Sequence, residues 1–161
     1  MKSFSHRRAV LIKLAATLGG IGYIPKAPGT YGSIVGLLIP IFIAPYVSSL
    51  AYCLLIALGI VFSVWCCGAA EKLMQEKDPS AVILDECIAM PLCFLGLSIP
   101  SASWVGWVLG FILFRFFDIL KPLGIKKLQA LPGGWGIVVD DLAAAVCVNV
   151  CLRVLLALFA W

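Results

Sequence analysis

A chain of 161 residues that is 63% hydrophobic and only 12% charged stands well above the roughly 45–50% apolar content of soluble domains, and it reads as one membrane-embedded domain covering residues 1–161. Its formal net charge of +4 suits contact with anionic lipid headgroups. No basic stripe with interleaved aromatics is present, so nucleic acid is excluded as a partner.

Met1 to Gly22 opens like a signal peptide, with Lys2, Arg7 and Arg8 ahead of an apolar stretch. Lys13 interrupts that stretch and no small-x-small cleavage site follows, so a retained amphipathic helix lying on the membrane surface is expected. From Gly19 to Ser33 the chain is too rich in glycine and proline for a helix interior and reads as a loop. Its free backbone N–H groups, the hydroxyls of Thr30 and Ser33 and the ammonium of Lys26 can cradle a phosphate, or the loop is only a turn packed under the bundle.

No charge occurs from Ser33 to Ala70, and Pro40 and Pro45 to Ser49 divide this run into a hairpin of Ile34 to Ala44 and Leu50 to Ala70. The first arm is shorter than the roughly 20 residues of a full span, which makes it re-entrant or buried. Polar residues return at Glu71 to Asp85, where Asp78-Pro79 has the form of a helix start with Asp78 as its cap. Asp85-Glu86 then stands at the mouth of a second apolar hairpin, Cys87 to Phe114, broken near Ser98 to Ser101.

Arg115, Asp118 and Lys121 follow at spacings of three, on one helix face that ends at Pro122. They make either a simple ion-paired face or two cations for a phosphate and a carboxylate for a metal. Lys126 and Lys127, the glycine turn Gly133-Gly134-Trp135-Gly136 and the pair Asp140-Asp141 lead to a last membrane helix, Leu142 to Trp161, in which Arg153 and Trp161 can reach an interface. Seven cysteines (Cys53, Cys66, Cys67, Cys87, Cys93, Cys147, Cys151) lie in or beside apolar runs, with no paired CxxC spacing and His6 as the one histidine. They read as small buried hydrophobes. Cys147 and Arg153 match the Cys-x5-Arg spacing of thiolate phosphatases by coincidence, since no glycines lie between them.

If each apolar run goes in and returns, all the polar stretches emerge on one membrane face, and the basic residues flanking them place that face in the cytoplasm. Six of the eight acids then converge there. Carboxylates without usable histidine or cysteine partners favour Mg2+ before Ca2+ or Mn2+. With Lys26, Arg115 and Lys121 beside them, the expected substrate is a phosphorylated lipid headgroup. The alternatives are a small transporter or ion-conducting subunit with an acid-lined pathway, and a non-catalytic subunit with ion-paired loops. The position of the acids at segment ends argues against the first, and their pairwise placement against the second.

Four stretches in register, Pro25 to Ser33, Asp78-Pro79 through Asp85-Glu86, Phe114 to Pro122 and Gly133 to Ile137 with Asp140-Asp141, resemble the phosphatidylglycerophosphatase A family of bacterial lipid phosphatases over about residues 15 to 150. Ala89 stands where that family usually has glycine, and Gly124 where proline often follows Lys121-Pro122. The resemblance implies an all-α bundle in the bacterial inner membrane, its glycine-rich loops and active site facing the cytoplasm. It further implies Mg2+-dependent hydrolysis of phosphatidylglycerophosphate to phosphatidylglycerol. On this reading Asp78, Asp85, Glu86, Asp140 and Asp141 hold metal, and Asp118 joins the last four in catalysis. Lys26, Thr30, Ser33, Arg115, Lys121, Gly133 and Gly134 bind the substrate phosphate. Attack by a metal-activated water is expected, with a phospho-aspartate route left open.

Overall fold

The computed structural model describes residues 6–97 and 104–159, and every regular element among them is helical. The α-helices are α1 (His6–Ala16), α2 (Pro28–Phe42), α3 (Ser49–Met74), α4 (Leu84–Cys93), α5 (Trp104–Leu120) and α6 (Gly134–Phe159), with short 3-10 turns at Ile21–Tyr23, Ala44–Tyr46 and Ile125–Ala130. The break expected near Ser98 to Ser101 lies outside the described residues.

Among the described residues, three segments are long and apolar enough to cross a membrane: Pro28–Tyr46, Ser49–Met74 and Gly134–Leu158. At 26 residues α3 and α6 each reach roughly 39 Å, beyond a hydrocarbon core of about 30 Å. The first hairpin is therefore present, but its opening arm is longer than expected. Helix α2 begins at Pro28, whose fixed φ and missing N–H suit the first turn, so Thr30 and Ser33 are helical rather than part of a loop. Gly19, Gly20 and Gly22 do lie in turns, but Gly29 and Gly32 instead join Gly36 in a contact stripe against the start of α4. A Cβ on Gly32 would lie 2.7 Å from the Ile83 carbonyl oxygen, and one on Gly36 would lie 2.4 Å from that of Cys87.

Helix α4 is the element around which the others are arranged. Ten residues give it only about 15 Å, half a bilayer, so its C-terminal carbonyls end inside the bundle, where they need partners. Side chains from both long helices supply them. Tyr52 of α3 donates its hydroxyl to the Pro91 carbonyl at 3.2 Å. Asn149 of α6 donates to the carbonyls of Leu92, Cys93 and Leu95 at 3.3, 3.0 and 3.0 Å. Arg153 donates to Leu95 at 2.9 Å and to the Asn149 side-chain oxygen at 2.8 Å, bringing positive charge to the negative end of the helix dipole. Around α4, buried Met90, Phe94, Phe114, Val148 and Leu152 make one core cluster, while Cys66, Ala70, Val82 and Val138 belong to a second, nearer the other end.

Three further expectations change. Helix α1 ends at Ala16 rather than Gly22 and buries Ile12 and Ala16 among α3 residues, with the Cys66 thiol donating to the Ile12 carbonyl, because its small and apolar side chains match the small residues there. No helix starts at Pro79: Asp78 takes a left-handed φ of 50° and the chain turns until Leu84, so Asp78 caps nothing. Helix α6 begins at Gly134 rather than Leu142, which places Asp140 and Asp141 inside it. The cysteines are free thiols; four are buried as expected, whereas Cys53 is exposed.

Gly134 lets α6 approach α3 closely, since a Cβ there would fall 1.8 Å from the Val64 carbonyl oxygen, a backbone atom that cannot step aside. Gly59 faces only the flexible tip of Ile88, 3.2 Å from a built Cβ. Gly134→Ala is therefore expected to lower the Tm in detergent by an overpacking cost of about 1–3 kcal/mol. Gly59→Ala gains helix propensity and is expected to be neutral or mildly stabilising. Equal losses in the two variants would contradict the close α3–α6 contact.

Candidate active site

Three helix starts and one helix end meet at a cleft of 310 Å3. Asp85 and Glu86 come from the first turn of α4, where the helix dipole favours negative charge. Asp140 and Asp141 come from the second turn of α6, and Pro28 and Gly29 from the first turn of α2. Arg115 and Asp118 descend from the last turns of α5, which stops at Leu120 so that Lys121 begins the following turn. The Asp78 to Val82 loop closes the rim. All six acids expected to converge line this one cleft.

Within it, carboxylate oxygens of Asp85, Glu86 and Asp141 lie within 4.8 Å of one another. Asp85 and Asp141 are only 5% and 3% exposed. Asp85 Oδ1, Glu86 Oε2 and Asp140 Oδ1 are buried without any hydrogen-bond partner. Burial first, then the neighbouring Glu86 charge, pushes the Asp85 carboxyl well above its usual range. Burial also raises Glu86, against the opposing pull of the adjacent Asp85 carboxyl and of the Arg115 charge. Unpartnered oxygens packed this closely fit a hard divalent cation, which would satisfy them and favour their ionised forms.

The remaining charges form a chain along the other wall. Arg115 Nη1 donates to Asp118 Oδ2 at 2.7 Å and lies 4.0 Å from Glu86 Oε1. Lys121 Nζ stands 3.8 Å from Asp118 Oδ1 and donates to Asp140 Oδ2 in a close ion pair. Burial works against the Lys121 charge, but the hydrogen bond and charge of Asp140, with Asp141 and Asp118 behind it, outweigh this and raise its pKa. Asp118 thus holds both cations at the cleft, and Asp140 is engaged by Lys121 rather than grouped with the three clustered carboxylates.

Ser33 has a role that spacing alone did not disclose. Its hydroxyl donates to the Gly29 carbonyl at 2.9 Å and accepts from Arg115 Nη1 at 3.2 Å, tying the guanidinium to the first turns of α2. Gly29 is required by the same contact, because a Cβ there would meet Glu86 Oε1 at 2.1 Å and Arg115 Nη1 at 3.2 Å. Other phosphate-binding candidates lie elsewhere. Lys26 is exposed and Thr30 half-buried, and neither lines the cleft. Gly133 lines an adjoining pocket of 410 Å3 that shares Asp78 and Ile137 with the cleft, while Gly134 is buried against α3. Cys147 and Arg153, six residues apart on one straight helix, do not share a face and form no phosphate loop.

The family model described as Phosphatidylglycerophosphatase A matches residues 14–156. A Haemophilus influenzae protein named "Phosphatidylglycerophosphatase A" is 34% identical over 84% of this chain and 82% of its own length. An Escherichia coli protein of the same name is 33% identical over 79% of this chain and 73% of its own. A Bacteroides thetaiotaomicron protein named "Putative phosphatidylinositol-3-phosphatase" is 36% identical over 87% of this chain and 90% of its own. No solved structure matches. With a match this long, which takes in every residue lining the carboxylate cleft, the chain belongs to the phosphatidylglycerophosphatase A family of phosphatases.

Proposed function

We propose that the chain is a Mg2+-dependent lipid phosphomonoesterase that converts phosphatidylglycerophosphate to phosphatidylglycerol and phosphate at the cytoplasmic face of the bacterial inner membrane. The observation that carries this reading is the group of three clustered carboxylates, with two unpartnered oxygens, facing Arg115 and Lys121 across one cleft. Asp85, Glu86 and Asp141 would hold the ion, with Asp140 and Asp78 beside them at the cleft wall. A bound Mg2+ supplies Lewis-acid stabilisation of phosphoryl charge and lowers the pKa of water.

The chain's own residues do the rest. Arg115 and Lys121 present fixed donors to the phosphate oxygens, where charge accumulates as the ester bond breaks. Ser33 and Asp118 hold the guanidinium from two sides, so it meets the substrate without reorganising. The first turn of α2, with Pro28 and Gly29 at the cleft, brings the positive end of its helix dipole to the same space, which favours an anion. Pairing with Asp140 and Asp118 keeps Lys121 charged at neutral pH. The acids sit at helix ends around a cleft, an arrangement unlike a mid-span ion pathway.

Phosphate release from phosphatidylglycerophosphate by the detergent-purified protein is expected to require Mg2+ and to stop in EDTA. Phosphatidylinositol 3-phosphate, included for comparison, is expected to be the poorer substrate. Equal release with and without chelator, or none in either, would sink the reading. Asp85→Asn, Glu86→Gln and Asp141→Asn are each expected to abolish most turnover while leaving the protein folded.

A second set of variants tests the cation wall. Arg115→Gln is expected to lower kcat/KM by on the order of 10²-fold, as for loss of one charge-stabilising donor. Ser33→Ala, which frees the guanidinium without removing it, is expected to cost about tenfold or less, by the loss of one hydrogen bond to a charged group. A Ser33→Ala loss as large as that of Arg115→Gln would show that Ser33 touches substrate directly.

A further inference from the structure

A second cavity, of 530 Å3, lies at the opposite end of the bundle from the carboxylate cleft. Ser49, Tyr52, Asn149 and Arg153 give it a polar wall, and Leu92 and Val150 are among its apolar residues. Among the described residues, Arg153 is the only charged one that lines it.

Depth along the helices fixes where this cavity sits. Nineteen residues of α6 separate Gly134 from Arg153, a rise of about 28 Å, close to the roughly 30 Å of a hydrocarbon core. Exposed Tyr46 and Trp104 stand at this end, as aromatic residues do at headgroup level, while Tyr23, Tyr31 and Trp135 are exposed at the cleft end. With Gly134 taken at the near edge of that core, Arg153 stands at its far edge, from which a long arginine side chain can snorkel to lipid phosphates of the second leaflet.

Two of its three nitrogens are engaged, Nε with Asn149 and Nη2 with the Leu95 carbonyl, and Nη1 has no protein partner among the described residues. Those two bonds fix the planar group in one orientation, which suits it to a phosphate oxygen. Among the described residues no carboxylate lines the cavity to receive a choline or ethanolamine cation, so its positive charge favours a headgroup whose phosphate is uncompensated. The apolar wall beside it matches the glycerol ester and upper acyl region of the same molecule.

We propose that this cavity is a binding site for an anionic phospholipid of the leaflet opposite the carboxylate cleft, with its phosphate on Arg153. The site does not depend on the phosphatase reading. It bears on the catalytic helix all the same, because Asn149 and Arg153 also hold the C-terminal carbonyls of α4, whose first turn carries Asp85 and Glu86.

The full chain, purified in EDTA so that no turnover occurs, would be offered equal amounts of phosphatidylglycerol and phosphatidylcholine with identical acyl chains, and the retained lipid read by native mass spectrometry. Wild-type protein is expected to retain phosphatidylglycerol at least about fivefold over phosphatidylcholine, a preference worth about 1 kcal/mol. That preference is expected to persist in Arg115→Gln, which alters only the cleft, and in Arg153→Lys, and to vanish in Arg153→Gln. Val150→Trp, which fills the cavity and keeps the guanidinium, is expected to lose it too. Equal retention of the two lipids by wild type, or a preference unchanged in both Arg153→Gln and Val150→Trp, would overturn the proposal. So would full displacement of the lipid by excess inorganic phosphate, which would identify the ligand as a free anion.

Discussion

Three carboxylates held within 4.8 Å of one another in a buried cleft are the constraint on which the rest of the structure depends. Like charges this close cannot all ionise without compensation, and their burial removes the water that would otherwise screen them. The fold answers with partial measures from the protein itself: helix N-termini behind Asp85 and Glu86, and Arg115 at 4.0 Å from Glu86. These measures leave buried oxygens on Asp85 and Glu86 with no partner. A packed interior rarely keeps such atoms unless something outside the chain meets them. Arg115 and Lys121 are largely spent on Asp118 and Asp140, which sharpens the division between a wall suited to a cation and a wall suited to an anion.

Holding that arrangement at a membrane face requires a helix that starts at the face and stops short of crossing. Helix α4 does this, and its shortness creates the second structural demand, satisfied by Tyr52, Asn149 and Arg153 at its far end. Both ends of α4 are thus polar sites inside an otherwise apolar bundle. The long helices α3 and α6 serve the two sites together: α6 carries Asp140 and Asp141 near its start and Asn149 and Arg153 about three turns further on. A shift of α6 along its axis would disturb both. The close glycine contact between Gly134 and α3 opposes such a shift, because backbone meets backbone there.

Much of this was legible in the sequence, and what was missed has a common physical origin. Charge-free runs and their polar interruptions gave the first hairpin and the convergence of six acids, because hydropathy reads the bilayer directly. The triplet spacing of Arg115, Asp118 and Lys121 gave the ion-paired face, because helical periodicity fixes which side chains meet. Glycine misled. Gly29, Gly32 and Gly134 were read as marks of loops able to cradle phosphate, whereas each lies in the first turns of a helix and is small because another backbone or the Glu86 side chain lies against it. Absence of a side chain has these two causes, and composition alone does not separate them. Asp78-Pro79 misled similarly: a proline can open a helix or a turn, and here the chain turns for five residues before α4 begins.

Reassigning the glycines changes the chemistry assigned to the site. A loop that cradles phosphate with backbone N–H groups would share the work of anion binding among many weak donors. With Gly134 buried against α3 and Gly133 in the adjoining pocket, the proposed anion binding rests on the side chains of Arg115 and Lys121 and on the start of α2. Both cations have carboxylate partners that an incoming phosphate must compete with or displace. Asp118 touches both, so it sets how much positive charge each can offer. On the proposed reading, an acid in this position would moderate affinity for the free phosphate that hydrolysis releases, since product and substrate would present the same group to Arg115 and Lys121. Tight unmoderated binding would hold the product in place, and turnover favours binding energy expressed in the transition state over binding expressed equally in all states. The ion pairs that first suggested a merely structural face are, on this argument, part of what lets the site empty.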